Sequence, residues 1–553
     1  MLLSLWYNKL GDKMKKDSFL KGTLVASIAI IITKILGVLY VIPFYKIIGE
    51  EGGVLYSYAY NIYNLFLNIS TAGIPIAISM IISEYLALDK YDAKERTFKV
   101  GKKIILTFSV LSFLILFIFS DTFAQFFING IDATNKKDIS LVIKAISFSL
   151  IITPYISVLR GYLQGHKFIS PGSISQVWEQ IIRIIIILVG SYLSINIFKS
   201  SIPVGVSVAL LGAFFGALGA YIYLKIKINK NKKLFEKKKT NKKDNITNKQ
   251  LAKKIILYCI PLIIISITND LYNIIDMKLI IKGLYIIGID SNTCQLISSI
   301  VCTWAPKICM LISAISMGLI TSLIPHIIES YTKKDYKSSN KIFNQAISTM
   351  LIVALPLTIG IIILSQDVYQ IFYGTSKYGG DILAISAIVS LVIGIFSVMS
   401  TALQGFKKFK LVIISTLTGL VINTILDIPL ILILNKLNLK PYFGTSIASI
   451  IGATISITII LVYLKKKLNF KYKDILNILS KILIPLIIMT IIVTGLNFVI
   501  GHPEKTILIF IKVLILGIIG VITYLFMLYK NNALEIIFGK EIIDKIKTKL
   551  HLN

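Results

Sequence analysis

Residues 382 to 406 read ILAISAIVSLVIGIFSVMSTALQGF, twenty-five residues without a charge and with little but apolar and small side chains. A helix rises about 1.5 Å per residue, so a run of this length crosses a hydrocarbon core of roughly 30 Å. Backbone polar groups in lipid must be satisfied within the segment, and the run lacks the strict alternation of a barrel strand. It reads as a membrane-spanning helix. Comparable runs recur at Gly52 to Ser83, Ser200 to Leu224, Ile342 to Gln366 and Pro441 to Leu464. With 55% hydrophobic residues in a chain of 553 and a mean hydropathy of +0.80, the composition is that of an integral membrane protein.

Working outward from this run, the sequence predicts fourteen helices, starting near residues 22, 53, 101, 140, 174, 202, 253, 295, 343, 382, 410, 441, 476 and 505. The loops at 86 to 103, 225 to 254, 331 to 341, 406 to 410 and 465 to 473 are basic, and the intervening ones are sparse or mixed in charge. That alternation places both termini in the cytoplasm, in a multi-pass protein of the bacterial cytoplasmic membrane. The net charge of +32 is thereby topological, and no nucleic-acid partner is expected. The N-terminus has lysines on the wrong side of a short apolar start for a cleaved signal. Cys259, Cys294, Cys302 and Cys309 show no CxxC spacing and read as small buried residues.

The quoted run ends in Leu403-Gln404-Gly405, which repeats Leu163-Gln164-Gly165 at an offset of 240 residues; Glu84, Tyr91 and Phe98 recur as Glu329, Tyr336 and Phe343. The expected fold is therefore an all-α integral membrane protein of about 14 transmembrane helices. It comprises two six-helix lobes in parallel repeat plus a C-terminal helix pair. The boundaries are a cytoplasmic tail (1–21), an N-lobe (22–228), a lysine-rich cytoplasmic linker (229–252), a C-lobe (253–466), the helix pair (475–530) and an amphipathic cytoplasmic tail (531–553). From Lys225 to Lys254 there are thirteen lysines against Glu236 and Asp244, a composition that cannot bury a core.

Ionisable groups inside spans cost about 3 kcal/mol on insertion scales, so each is a functional candidate. Lys34 interrupts the first helix, Glu179 and Arg183 lie one turn apart in the fifth, Asp270 and Asp276 sit in the seventh, Lys307 in the eighth and Asp427 in the eleventh. Glu179 and Arg183 have the favourable acid-first i, i+4 order and either bind a ligand or only neutralise each other. The chain has just three arginines, Arg96, Arg160 and Arg183. Arg160, near the end of the fourth helix, reads as a ligand-binding residue or as a snorkelling anchor. Asn61, Asn64 and Asn68 form a stripe on the second helix, and Asn269, Asn273 and Asp276 one on the seventh; such stripes face other helices or an aqueous cavity. Pro43, Pro75, Pro261, Pro306 and Pro356 are places for the backbone to bend. Lys34, Arg183 and Lys307 set against few acids favour an anion, and the planar fork of arginine matches phosphate oxygens.

The runs KGTLVASIAIIITKILGVLYVIPFYKIIGEEGGVLYSYAYNIYNLFLNISTAGIPIAIS (21–79) and LRGYLQGHKFISPGSISQVWEQIIR (159–183) resemble the oligosaccharide flippases of the MOP superfamily. The nearest branch is that of stage V sporulation protein B and the MurJ-type lipid II flippases. The resemblance implies a V-shaped pair of lobes around a central cationic cavity, an extra helix pair associated with lipid-tail access, and alternating access. The substrate it implies is an undecaprenyl-pyrophosphate-linked saccharide, lipid II or a related cell-envelope precursor. Family basic positions fall on Lys34, Arg160 and Arg183; the departure is Tyr40-Val41-Ile42-Pro43, where relatives often carry a second arginine. No enzymatic activity, metal or cofactor is implied, with coupling to membrane potential or a monovalent cation left open, and the partners are a lipid-linked oligosaccharide and membrane lipids, with the protein a monomer. The alternatives are a cation or drug antiporter of the same superfamily, for which Asp270, Asp276 and Asp427 speak and Lys34 speaks against, and a sporulation or cell-envelope protein without transport. A membrane glycosyltransferase would need paired carboxylates in a large loop, and the one long loop has none.

Overall fold

The computed structural model describes residues 29, 32–128, 135–235, 246–503 and 505–531. All regular structure among them is helical, and thirteen stretches are long and apolar enough to cross a membrane. We call the helical segment at 32–39 α1; it is the described part of the span expected from residue 22. There follow α2 (Val41–Thr71 and Ile74–Ala87), α3 (Tyr91–Ile118), α4 (Lys136–Ser147 and Ser149–Gly165), α5 (Ile169–Ile185) and α6 (Ile202–Lys230). Next come α7 (Asn248–Ile286), α8 (Ser291–Ser299, then Ala305–Thr332), α9 (Tyr336–Ile363), α10 (Gly379–Gly405), α11 (Phe409–Lys436), α12 (Gly444–Leu468), α13 (Lys473–Ile500) and α14 (Thr506–Lys530). The expected N-terminal tail, the core of the lysine-rich linker (236–245) and the amphipathic tail lie outside the described residues.

Several helices begin ahead of the expected starts: α3 at Tyr91, not 101, and α9 at Tyr336, not 343. Apolar composition marks only the part of a helix that lies in hydrocarbon, whereas helical hydrogen bonding continues into the lysine-rich interfacial turns. The bends also differ. In α2 the backbone departs from helix at Gly49 (φ 65°), six residues beyond Pro43, and again at Gly73 (φ 75°), just before Pro75 in the first turn of Ile74–Ala87. Pro356 sits inside the continuous helix Tyr336–Ile363. Two five-residue π-helical segments follow α5, at Ile186–Gly190 and Leu193–Ile197, and a third, Ile300–Trp304, leads into Pro306; such bulges concentrate at functional sites.

The chain forms two compact units, Met1–Ile281 with Ile289–Ser299, and Lys282–Gly288 with Ile300–Asn553. Most of α7 thus packs with the first unit, whereas the lysine-rich linker precedes it. One contact inside the first unit that holds α7 is the Asn68 amide of α2, which donates to Asp270 Oδ2 at 2.8 Å.

Internally the two units repeat one another. After Gly165, Lys167 takes a left-handed φ of 66°, Lys167 N donates to Gln164 O and Phe168 N to Leu163 O, both at 2.9 Å. After Gly405, Lys407 takes φ 56°, Lys407 N donates to Gln404 O and Lys408 N to Leu403 O, again both at 2.9 Å. This is a Schellman-type helix end used twice. The glycine has the same task in each: a Cβ on Gly165 would lie 2.9 Å from Ile82 of α2, and one on Gly405 2.7 Å from Ile327 of α8. Aromatic rings close the same end of each unit, with Phe98 on Tyr162 (4.1 Å between centroids) and Phe168 on Phe235 (5.4 Å) in the first. In the second, Phe343 and Phe406 both pack on Phe470 at 5.8 Å.

Candidate functional site

α5 carries two ionisable residues on a helix that is otherwise mostly apolar and small, ISPGSISQVWEQIIRII. The helix turn puts Glu179 and Arg183 on one face, and Arg183 Nη2 donates to Glu179 Oε1 at 2.8 Å. The second carboxylate oxygen, Oε2, accepts from Arg160 Nη2 of α4, also at 2.8 Å. Arg160 Nε donates to Ser175 Oγ at 2.9 Å, and Ser175 Oγ donates to Gly172 O at 2.6 Å. One carboxylate therefore lies between two guanidiniums, a triad with one net positive charge. Side-chain exposures of 18%, 11% and 24% for Arg160, Glu179 and Arg183 place it partly out of solvent, where charge-assisted hydrogen bonds are strongest.

Arg160 is thus turned onto α5 and is not an anchor reaching toward an interface. Arg183 keeps capacity in reserve: only Nη2 faces Glu179, and its buried Nε has no hydrogen-bond partner among the described residues.

The position of α5 depends on α6. A Cβ on Gly216 would lie 2.6 Å from Glu179 O and 3.1 Å from Arg183 Cβ, and one on Gly212 2.9 Å from Arg183 O. Glycines four apart let the backbones approach at the turn that carries both charges. The second unit builds the same contact from different chemistry: a Cβ on Gly452 would lie 2.6 Å from Gly419 O and 3.4 Å from Asn423 Cβ. Asn423 occupies the place of Arg183, at the offset of 240, and accepts from Ser449 Oγ at 3.0 Å. The charged pair belongs to the first unit. Gly216→Ala should displace this turn and cost about 1–3 kcal/mol, read as a lowered midpoint of thermal unfolding.

The other sequence-derived residues divide. Lys34 of α1 is half-buried and makes no ion pair among the described residues. A Cβ on Gly37, one turn further, would lie 3.5 Å from Gln180 Nε2, so α1 touches α5 beside Glu179. Asn61 is buried and donates to Ser57 O of its own helix at 2.9 Å, Asn64 is half-buried, and Asn68 holds Asp270. On α7 Asn273 is exposed and Asp276 buried; the side chain of Asn269 lies outside the described residues. Lys307 is in the second unit, buried with Nζ 4.3 Å from the centroid of the Trp304 ring. Asp427 is fully buried there as well.

The tyrosines escaped the sequence reading. On α2, Tyr56 and Tyr60 stack with ring centroids 5.4 Å apart, the Tyr60 and Tyr63 centroids lie 6.4 Å apart, and the Tyr56 hydroxyl lies 3.3 Å from that of Tyr40. The i, i+4, i+7 spacing in YSYAYNIY (56–63) was the available signal; it marks one helix face but does not say what that face meets.

These features define a polytopic helical membrane protein of transporter architecture: a duplicated set of spans, a further helix pair, and a cationic triad in one unit. Residues 19–327 match the family described as polysaccharide biosynthesis protein, and residues 302–429 match the MatE family. The chain is 30% identical over 538 residues to "Lipid II flippase MurJ" of Bacillus subtilis (strain 168), covering 95% of this chain and 98% of that one. It therefore belongs to the polysaccharide biosynthesis protein family of the MOP superfamily. "Stage V sporulation protein B" of the same organism is 25% identical over 367 residues, 66% of this chain and 68% of that one. Among solved structures, "Lipid II flippase MurJ, inward closed conformation" superposes with a TM-score of 0.62 at 19% identity, over 94% of this chain and 100% of that one. An inward-facing MATE family multidrug resistance transporter gives 0.59 at 14% identity, over 79% and 95%. The fold is the one these transporters share.

Proposed function

We propose that the protein is a flippase for an undecaprenyl-pyrophosphate-linked saccharide, lipid II or a related cell-envelope precursor. It moves the headgroup across the cytoplasmic membrane by exposing its site alternately to the two sides. The observation that carries this reading is the Arg160–Glu179–Arg183 triad within the spans of a chain so similar to a lipid II flippase over nearly its whole length. A pyrophosphate leaving water must exchange its hydration for fixed donors or meet a large solvation penalty. Arg183 can turn toward phosphate oxygens while Glu179 stays neutralised by Arg160, so neither the loaded nor the empty site holds an unpaired acid.

An apolar groove in the second unit supports the same reading. It encloses about 530 Å³ and is walled by Ile352, Pro356 and Leu357 of α9, Met489 of α13 and Leu516 and Leu525 of α14. Such a surface suits a polyprenyl chain, which needs dispersion contacts and no polar partner. A cation antiporter fits less well, because Arg160, Arg183 and the nearby α1 lysine outweigh Glu179. The test is growth of cells depleted of their own lipid II flippase and supplied with this chain. Rescue supports lipid II as cargo; absence of rescue by a well-expressed protein, together with no leaflet exchange of any undecaprenyl-pyrophosphate lipid in proteoliposomes, would refute the function.

A further inference from the structure

The two arginines of the triad are not held alike. Arg160 reaches from α4 along one face of α5, on which Gly172, Ser175 and Glu179 follow at helical spacing. A Cβ on Gly172 would lie 3.8 Å from Arg160 Cγ, so the stem of the side chain runs close beside the helix. Its Nε then donates to Ser175 Oγ at 2.9 Å and its Nη2 to Glu179 Oε2 at 2.8 Å. Arg183 makes one such bond among the described residues, to Glu179 Oε1 on its own helix.

Ser175 is fully buried, and its hydroxyl proton is committed to Gly172 O at 2.6 Å. With that proton spent the oxygen can only accept, and the donor it meets is Arg160 Nε. The orientation of the hydroxyl does not depend on the arginine. At the offset of 240, Ser415 of α11 is also fully buried and donates to Val412 O, three residues back, at 2.9 Å. There Ser400 and Gly419 stand where the first unit has Arg160 and Glu179. The back-bonded serine is a feature of the repeated fold, and the first unit has set an arginine on it.

The asymmetry decides which arginine can leave Glu179, because a buried carboxylate has to keep a full partner. Arg160, fixed at two points, stays. Arg183, with one bond and a buried Nε that has no hydrogen-bond partner among the described residues, is the one released. We propose that Ser175 is a positioning residue that, by holding Arg160 on Glu179, frees Arg183 for the phosphate oxygens of the substrate. Ser175 itself does not touch substrate. This rests on the flippase reading above and adds to it the group that gives two like side chains unlike roles. Without the Ser175 acceptor Arg160 loses one of its two fixed points, Glu179 draws on Arg183, and a phosphate has to compete with a carboxylate for the same guanidinium.

The experiment measures binding of undecaprenyl pyrophosphate to purified full-length protein in nanodiscs. Ser175→Ala should weaken it roughly tenfold, the order of one hydrogen bond to a charged group. Ser415→Ala, which removes the same back-bond where no arginine rests on it, should bind as the wild type does. In a Glu179→Gln background no acid competes for Arg183, so adding Ser175→Ala should change binding by no more than about twofold. An equal loss in both backgrounds, or a Ser175→Ala protein that does not stay monodisperse, would make Ser175 a packing residue. Wild-type binding in Ser175→Ala would make its bond to Arg160 idle, and an equal loss in Ser415→Ala would assign the effect to the back-bond. No binding by Glu179→Gln alone would show that the acid serves the ligand and does not compete with it. Each of these outcomes overturns the proposal and leaves the flippase reading standing. Wild-type protein that binds no undecaprenyl pyrophosphate would overturn both.

Discussion

Arg183→Ala is expected to abolish transport of lipid-linked substrate while the protein still inserts and folds. The geometry separates the two effects. Glu179 shares its carboxylate between two arginines, so removing Arg183 leaves Oε2 on Arg160 Nη2 at 2.8 Å and leaves no uncompensated buried acid. The lost group is the guanidinium with spare donors, which is the one able to take up phosphate oxygens. Arg183→Lys should be impaired as well, because a point charge cannot reproduce the planar fork. Glu179→Gln should retain more activity than Arg183→Ala, since an amide oxygen can still accept from one arginine. Glu179→Ala is the harsher change, as it leaves two guanidiniums facing one another without an acid; breaking a buried pair in this way costs about 3–5 kcal/mol. Leaflet exchange of labelled lipid in proteoliposomes reads all four, with size-exclusion behaviour as the check on folding. Wild-type exchange rates in both Lys34→Ala and Arg183→Ala would reduce the triad to a structural ion pair.

Lys512→Met should be the most destabilising single substitution in the second unit, at about 3–5 kcal/mol. Lys512 of α14 is 4% exposed and its Nζ lies 2.7 Å from Oδ2 of Asp367, which is 2% exposed. The same Nζ donates to Gly501 O in the α13–α14 connection at 2.6 Å. Asp367 lies in the first turn of the short helix Ser365–Tyr373, so this ammonium ties the helix pair to the rest of its unit. Without it Asp367 retains His502, whose Nδ1 is 2.6 Å from Oδ1 but whose ring is 56% exposed, an incomplete substitute. Asp367→Asn combined with Lys512→Met removes both charges and should recover most of the loss. The comparison is made by thermal unfolding in detergent, and a double variant no more stable than Lys512→Met would show that the pair contributes packing and not charge compensation.

The spans were legible because lipid imposes a local rule: every backbone group must bond within its own helix, so length and hydropathy suffice to find them. The Glu179–Arg183 contact was legible for the same reason, being one helical turn long. The repeat was legible from Leu-Gln-Gly at 163 and 403, since a turn that needs a left-handed residue and a close approach leaves a compact mark. Arg96 shows where such reading stops. It pairs with Asp92 one turn away, at 2.9 Å, as spacing alone suggests, and it also donates to Ile246 O on the far side of the lysine-rich segment. Nothing near Arg96 in the chain indicates that second partner.

By itself, then, the sequence determined the class of the protein, the order of its spans, its duplication and the identity of one ion pair, all properties carried by residues within a few turns of one another. Only the tertiary structure decided that Arg160 faces Glu179, that Gly216 admits α5 close enough to present the pair, and that Asp367 depends on Lys512. Each of these joins helices distant in sequence. Which side chains meet across such a contact is set by how the helices pack, through small residues, ring stacking and charge compensation, and no helical periodicity encodes it.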